Sequence, residues 1–296
     1  TGDFLPNAEL EIFISGPVTC SFDLVYSDDA YSIIISNFKN PTGAYTITIR
    51  GWVGNYSVAE FTTSLIVNPR PTDIRAPSII ELRWSPTTYN VSIEFYDSRN
   101  STIVSGAETF FRIMDTELGT VFINGSLIEN DHYLLSIPLL KLSLGSYVSI
   151  VSLGKRFYEN KTISISISIL AIRTYATSNI THLSVYWGEI VHVACKYMNT
   201  ETYPATEIAN ATATFKVIPF GQQNPVLTGE LTYLDETKEY LLTLDTKDIG
   251  LGEYKIKVTL FMKNYSSQSI EIDLEVNPLV GLVIAPDTID LVCEKV

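Results

Sequence analysis

Residues 163–169 read Ile163-Ser164-Ile165-Ser166-Ile167-Ser168-Ile169. Strict alternation puts the isoleucines on one face of an extended chain and the serines on the other, the pattern of a strand with one buried face. The same alternation recurs as Phe61, Thr63, Leu65, Val67 and as Ile270, Ile272, Leu274, Val276. Each run begins five residues after a tyrosine, and those tyrosines close three sets in fixed register. Tyr31, Tyr45 and Tyr56 are 14 and 11 residues apart; Tyr133, Tyr147, Tyr158 and Tyr240, Tyr254, Tyr265 keep both gaps. Successive sets lie 102 and 107 residues apart, the size of one small domain rather than of a short solenoid unit.

The middle tyrosine of each set closes the phrases Gly43-Ala44-Tyr45, Gly145-Ser146-Tyr147 and Gly252-Glu253-Tyr254, each opening a strand. A glycine two residues before such a tyrosine points to the tyrosine corner of Greek-key sandwiches, so Tyr45, Tyr147 and Tyr254 read as structural. Other phrases repeat with them. Trp187-Gly188-Glu189 opens a strand with Val191, Val193 and Cys195 on one face, loosely matched by Trp84 and the run Val91, Ile93, Phe95. Ile208-Ala209-Asn210-Ala211 is echoed by Val104-Ser105-Gly106-Ala107 and by Leu5-Pro6-Asn7-Ala8. No segment keeps helical spacing over three turns. The expected fold is all-β, a tandem array of Greek-key sandwiches.

The repeats divide the chain into residues 1–69, the C-terminal part of one sandwich; 70–172 and 173–279, two whole sandwiches; and 280–296, opening strands of another. Asn68-Pro69 and Asn277-Pro278 are matching linkers, where proline stops the ladder and stiffens the joint; Leu170-Ala171 stands at that place in the middle repeat.

The Trp-Gly-Glu, Ile-x-Asn-Ala and Gly-x-Tyr strands resemble tandem immunoglobulin-like repeats of prokaryotic cell-surface glycoproteins, the archaeal ones most of all. That resemblance implies an extracellular β-sandwich array in a surface layer, filament or adhesin, with no catalytic residues.

Composition agrees with a folded, exported chain. Of 296 residues, 46% are apolar, with 17 Tyr and 13 Phe. A net charge of −13 argues against a nucleic-acid partner, which needs a basic patch. Asn-x-Ser/Thr triplets begin at Asn55, Asn90, Asn100, Asn124, Asn160, Asn179, Asn210 and Asn264, where chance gives about three from this content of Asn, Ser and Thr. They are candidate N-glycosylation sites, and Asn55, Asn160 and Asn264 fall beside the third tyrosine of each set. No run of about 18 apolar residues offers a membrane span, and the chain opens without a signal-peptide pattern.

The three cysteines, Cys20, Cys195 and Cys293, cannot all pair within one chain and lack metal-ligand spacing. Cys195 reads as a buried free thiol. The truncated domain at 1–69 and the opening strands at 280–296 are complementary, so residues 280–296 of one chain are candidates to complete the first domain of the next by strand donation. Cys20 and Cys293 would then form an inter-chain disulfide. The alternative is that both part-domains are completed by flanking sequence of a longer repeat protein.

Nothing in the sequence assembles an active site. His192 and Cys195, three apart on a strand, point to opposite faces, and no nucleophile elbow, phosphate loop or dinucleotide fingerprint is present. No enzyme and no cofactor are expected. Calcium is the weak exception, because Asp28-Asp29, Glu129 with Asp131, and Asp235-Glu236 sit at equivalent turns before the first tyrosine of each set. One surface breaks the repeat: Val148 and Ile150 stand where the other copies carry Thr46, Thr48 and Lys255, Lys257, an outward apolar face that would mark a lateral contact. The expected function is a structural subunit of an archaeal surface filament or layer, binding copies of itself; the alternative is a monomeric adhesin or stalk segment.

Overall fold

The computed structural model describes residues 8–17, 23–27, 30–34 and 42–281. The first stretch carries β1 (Glu9–Ser15), β2 (Asp23–Ser27), β3 (Ala30–Ile34), β4 (Gly43–Trp52) and β5 (Ala59–Val67). Ten strands follow: β6 (Thr72–Arg75), β7 (Ile79–Arg83), β8 (Thr88–Asp97), β9 (Thr102–Ile103), β10 (Glu108–Asp115), β11 (Val121–Gly125), β12 (Ile128–Glu129), β13 (Tyr133–Pro138), β14 (Gly145–Gly154) and β15 (Lys161–Leu170). The same ten recur as β16 (Thr174–Ser178), β17 (His182–Tyr186), β18 (Ile190–Asn199), β19 (Thr206–Glu207), β20 (Thr212–Pro219), β21 (Leu227–Glu230), β22 (Thr232–Leu234), β23 (Glu239–Asp245), β24 (Gly252–Phe261) and β25 (Gln268–Asn277). Two compact units emerge, Thr1–Glu81 with Pro86–Ser168, and Leu82–Ser85 with Ile169–Val296.

Strand order is the same in both ten-strand sets. One sheet runs β12-β13-β8-β6 and its counterpart β22-β23-β18-β16, with β9 and β19 attached to β8 and β18. The other runs β11-β10-β14-β15-β7 and β21-β20-β24-β25-β17. The opening strand is therefore split. β16 pairs antiparallel with β18, and β17 crosses to the opposite sheet to run parallel with β25. Two five-stranded sheets with the opening strand shared between them form the immunoglobulin-like Greek-key arrangement. The protein is an all-β tandem array of such sandwiches.

The alternating runs supply the cores. Ile165, Ile167 and Ile169 of β15 are no more than 2% exposed, and Ile272, Leu274 and Val276 of β25 match them. Each such side chain contributes about 1.5–3 kcal/mol when fully buried. β5 has the same pattern and forms the same hairpin with β4, yet Phe61 is 62% exposed. The reason is coverage. Its sheet is only β1-β4-β5, the facing layer is the hairpin β2–β3, and the buried core is Ile14, Tyr45 and Ile47. Among the described residues, no strand lies beside the outer edge of β5, where β15 has β7 and β25 has β17.

Three polar residues are buried in the middle sandwich, Thr72, Asp97 and Ser149. Asp97 is 1% exposed; its Oδ2 lies 2.6 Å from Arg70 Nη2, and its Oδ1 accepts the Arg99 N–H at 3.0 Å. Ser149 is fully buried, two residues beyond Tyr147, at the position of Ile47 and Ile256 in the other sets, and its hydroxyl has no hydrogen-bond partner among the described residues. An unpartnered buried hydroxyl costs about 1–3 kcal/mol. Ser149→Val should therefore raise the stability of this sandwich by about 1–2 kcal/mol. Urea denaturation of the variant would reveal it as a higher midpoint at unchanged slope.

Candidate functional site

The most repeated constellation links the first tyrosine of each set to the Ile-Ala-Asn-Ala phrase. Tyr240 Oη donates to the Ile208 carbonyl at 2.7 Å and accepts the Ala211 N–H at 2.8 Å. Tyr133 does the same with Val104 and Ala107, at 2.7 and 2.9 Å. In the first stretch Ala8 N–H donates to Tyr31 Oη at 2.8 Å. One buried phenol thus satisfies both a carbonyl and an amide in the loop between two sheets, and stitches the sheets together. Gly106 and Asn210, third in their phrases, have φ of +66° and +57°, a region that glycine and asparagine tolerate best. Both halves of this pair recur in the sequence, which does not itself show that they touch. The offset from the first residue of the phrase to the tyrosine grows from 26 to 29 to 32 residues along the chain, so the signal in the sequence is that the two recur together, not a fixed spacing.

The middle tyrosines bond close by. Tyr147 Oη donates to the Ser143 carbonyl at 3.0 Å, and Tyr254 Oη to the Ile249 carbonyl at 2.6 Å. Gly145 and Gly252 precede them at φ of +148° and +135°. Tyr45 is buried at 1% exposure in the core of the first stretch. The third tyrosines sit in hairpin turns that grip the segment entering their own sandwich. Arg70 N–H donates to the Phe157 carbonyl and Glu159 N–H returns to Arg70; Ile172 is held in the same way between Asn264 and Ser266. Tyr56 occupies the equivalent turn and is 64% exposed, with no segment bridged to it among the described residues.

Seven acceptor asparagines, at positions 55, 90, 100, 124, 160, 179 and 210, are exposed; Asn264 is half-buried, with its carbonyl engaged by Ile172 and φ at +69°. Cys195 is buried with a free thiol, and burial pushes it up to about 11. Cys20 and Cys293, and Asp28-Asp29, lie outside the described residues. Of the remaining acidic turns, Glu129 Oε1 accepts the Gly106 N–H at 2.7 Å, which ties it to the backbone phrase. Among the described residues no three His, Cys, Asp or Glu side chains converge. His192 is exposed, its Nδ1 3.2 Å from Thr243 Oγ1, and faces away from Cys195. No helix is long and apolar enough to cross a membrane.

No family model matches this chain, and no curated protein does. Similar solved structures include a tetra-tandem repeat from the extending region of a large adhesion protein (12% identity, 92% of this chain and 68% of that one, TM-score 0.37). The I9–I11 tandem of titin is similar at 13% identity over 91% and 89% of the two chains, TM-score 0.31. Fibronectin(III)-like modules of Clostridium thermocellum CbhA match at 10% identity over 72% and 100%, TM-score 0.27. At such identities the likeness concerns fold alone.

Burial holds Tyr133, Tyr147, Tyr197, Tyr240 and Tyr254 above the usual tyrosine value of 10.0. A phenol raised in the folded state stabilises fully below pH 10 and loses that contribution as pH climbs through its folded value. Melting temperature should therefore fall steeply above pH 10. Tyr240→Phe should cost about 1–3 kcal/mol near neutral pH, because the Ile208 carbonyl and Ala211 amide lose their partner, and should flatten part of the alkaline decline. A thermal melt series from pH 7 to 11 on both proteins measures each effect.

Proposed function

We propose that this chain is a tension-bearing spacer of the cell exterior, a stalk segment of an adhesin-like surface protein built from immunoglobulin-like units at 1–69, 70–172, 173–279 and 280–296. The observation that carries the reading is the parallel pairing of β17 with β25, in register from His182 opposite Asp273 to Tyr186 opposite Asn277. The first and last strands of the sandwich run side by side in one direction. Pulling the two ends apart shears that ladder along its length, so its bonds resist together instead of opening one by one. The acidic balance and the surplus of exposed Asn-x-Ser/Thr triplets support an exported glycoprotein.

Force spectroscopy tests it. Stretching should give separate unfolding events for the two whole sandwiches, each releasing roughly 100 residues at about 3.5 Å apiece. Trp187→Pro removes the N–H that donates to the Asn277 carbonyl at 2.9 Å and should lower the force of one event, while Trp187→Ala, which keeps that N–H, should not. One cooperative event, or equal forces in both variants, would overturn the spacer reading.

A second reading is favoured by the edge of β5, beside which no strand lies among the described residues. Residues 280–296 of another copy are candidates for the place that β17 takes on β25, giving head-to-tail assembly into a filament or layer of the archaeal kind. Sedimentation decides between them. Polymers lost on deletion of residues 280–296 support assembly, and a monomer at all concentrations leaves the spacer alone.

A further inference from the structure

The outer face of the β10–β14–β15 sheet differs in kind from its counterparts. Register fixes what shares that face: Val121, Met114 and Val148 in one row, Asn124, Arg112 and Ile150 in the next, and Phe110 with Ser152 in a third. Phe110 and Val121 are 50% and 46% exposed, and Met114, Val148 and Ile150 are half-buried. At the positions of Phe110, Arg112, Val148 and Ile150 the third set has Thr214, Lys216, Lys255 and Lys257, facing Glu271 and Asp273, with Lys255 Nζ 2.9 Å from Glu271 Oε2; at the position of Met114 it has Ile218. The first stretch carries Thr46, Thr48 and the pair Arg50–Glu60 at 2.7 Å. Among the described residues, the middle sandwich has apolar side chains where the third has Lys255 and Lys257, keeps a charge there in Arg112, and carries an acceptor triplet, Asn124-Gly125-Ser126, on the face itself. Asn124 is exposed, opposite Arg112 and two strand spacings, about 10 Å, from Ile150.

We propose that an N-linked glycan on Asn124 folds back over this face and covers it, an inference that rests on the reading of the chain as a glycoprotein. Sugar rings present C–H faces to Phe110 and Ile150 and hydroxyls to the Arg112 guanidinium. A groove of about 1040 Å³, lined by Phe110, Ser152, Thr162 and Asn160, continues the face and gives the outer sugars room. Ser152 Oγ and Thr162 Oγ1 lie 2.9 Å apart on it and offer further polar partners. A second copy would have to bury roughly 800 Å² of each partner to hold on this face. A glycan tethered at Asn124 needs no such area, because its attachment already holds it at high local concentration.

The test is hydroxyl-radical footprinting of the chain secreted from a host that glycosylates such triplets, with occupancy of each triplet read by glycopeptide mass spectrometry. Asn124→Gln and Ser126→Ala both remove the acceptor, and the second leaves Asn124 itself in place. With Asn124 occupied, oxidation of Met114 and Phe110 should rise at least threefold in both variants, while fully exposed Tyr203 stays constant. Unchanged oxidation, or an empty Asn124 beside occupied triplets elsewhere, overturns the proposal and leaves the glycoprotein reading standing. Eight empty triplets overturn both.

Discussion

A buried phenol must find hydrogen-bond partners for its hydroxyl, and the loop between the two sheets of each whole sandwich is built around that requirement. Tyr133 and Tyr240 meet it with a carbonyl and an amide three residues apart in the loop that carries the chain from one sheet to the other. The loop must hold a left-handed residue to bring both groups to one oxygen, hence Gly106 and Asn210. The spacing from loop to tyrosine varies, 26 residues from Ala107 to Tyr133 and 29 from Ala211 to Tyr240, so the segments between them absorb the difference while the bond is kept. The step from first to middle tyrosine, by contrast, stays at 14 residues in all three sets.

That explains what was legible and what was not. Alternation in residues 163–169 is a local property of one strand, and the buried Ile165, Ile167 and Ile169 follow from it. The two-way bond of Tyr240 spans 29 and 32 residues, a geometry that no local pattern encodes. Phe61 illustrates the converse failure. Its strand has the right alternation, but burial depends on what lies opposite, and that is a property of the assembled sheets. Repeat comparison recovers part of the loss, because Ser149 stands out only once its column is seen to hold Ile47 and Ile256.

The acceptor triplets show how one residue serves two masters. Asn210 and Asn264 occupy left-handed positions that favour asparagine for backbone reasons alone. Asn124 lies within a regular strand and has no such reason, so its chemistry is all that distinguishes it. The charges divide similarly. Arg70 and Asp97 form a pair with a buried carboxylate, where removal of one partner leaves an uncompensated charge; Arg50–Glu60 and Lys255–Glu271 are exposed and contribute little.

The split opening strand also governs how such a domain is born. β17 has no ladder to join until β25 has been made, and those partners are 91 residues apart in sequence. At a synthesis rate of 5–20 residues per second, the nascent strand waits roughly 5–20 seconds with its edge unpaired. In a tandem array the previous repeat carries β15, of nearly the same pattern, between β14 and β7. β7 precedes β15 in the chain, so it is already waiting when β15 emerges and can close that edge before β17 has been made. Each repeat thus meets its own opening strand first, and the order of synthesis itself keeps neighbouring repeats from exchanging partners.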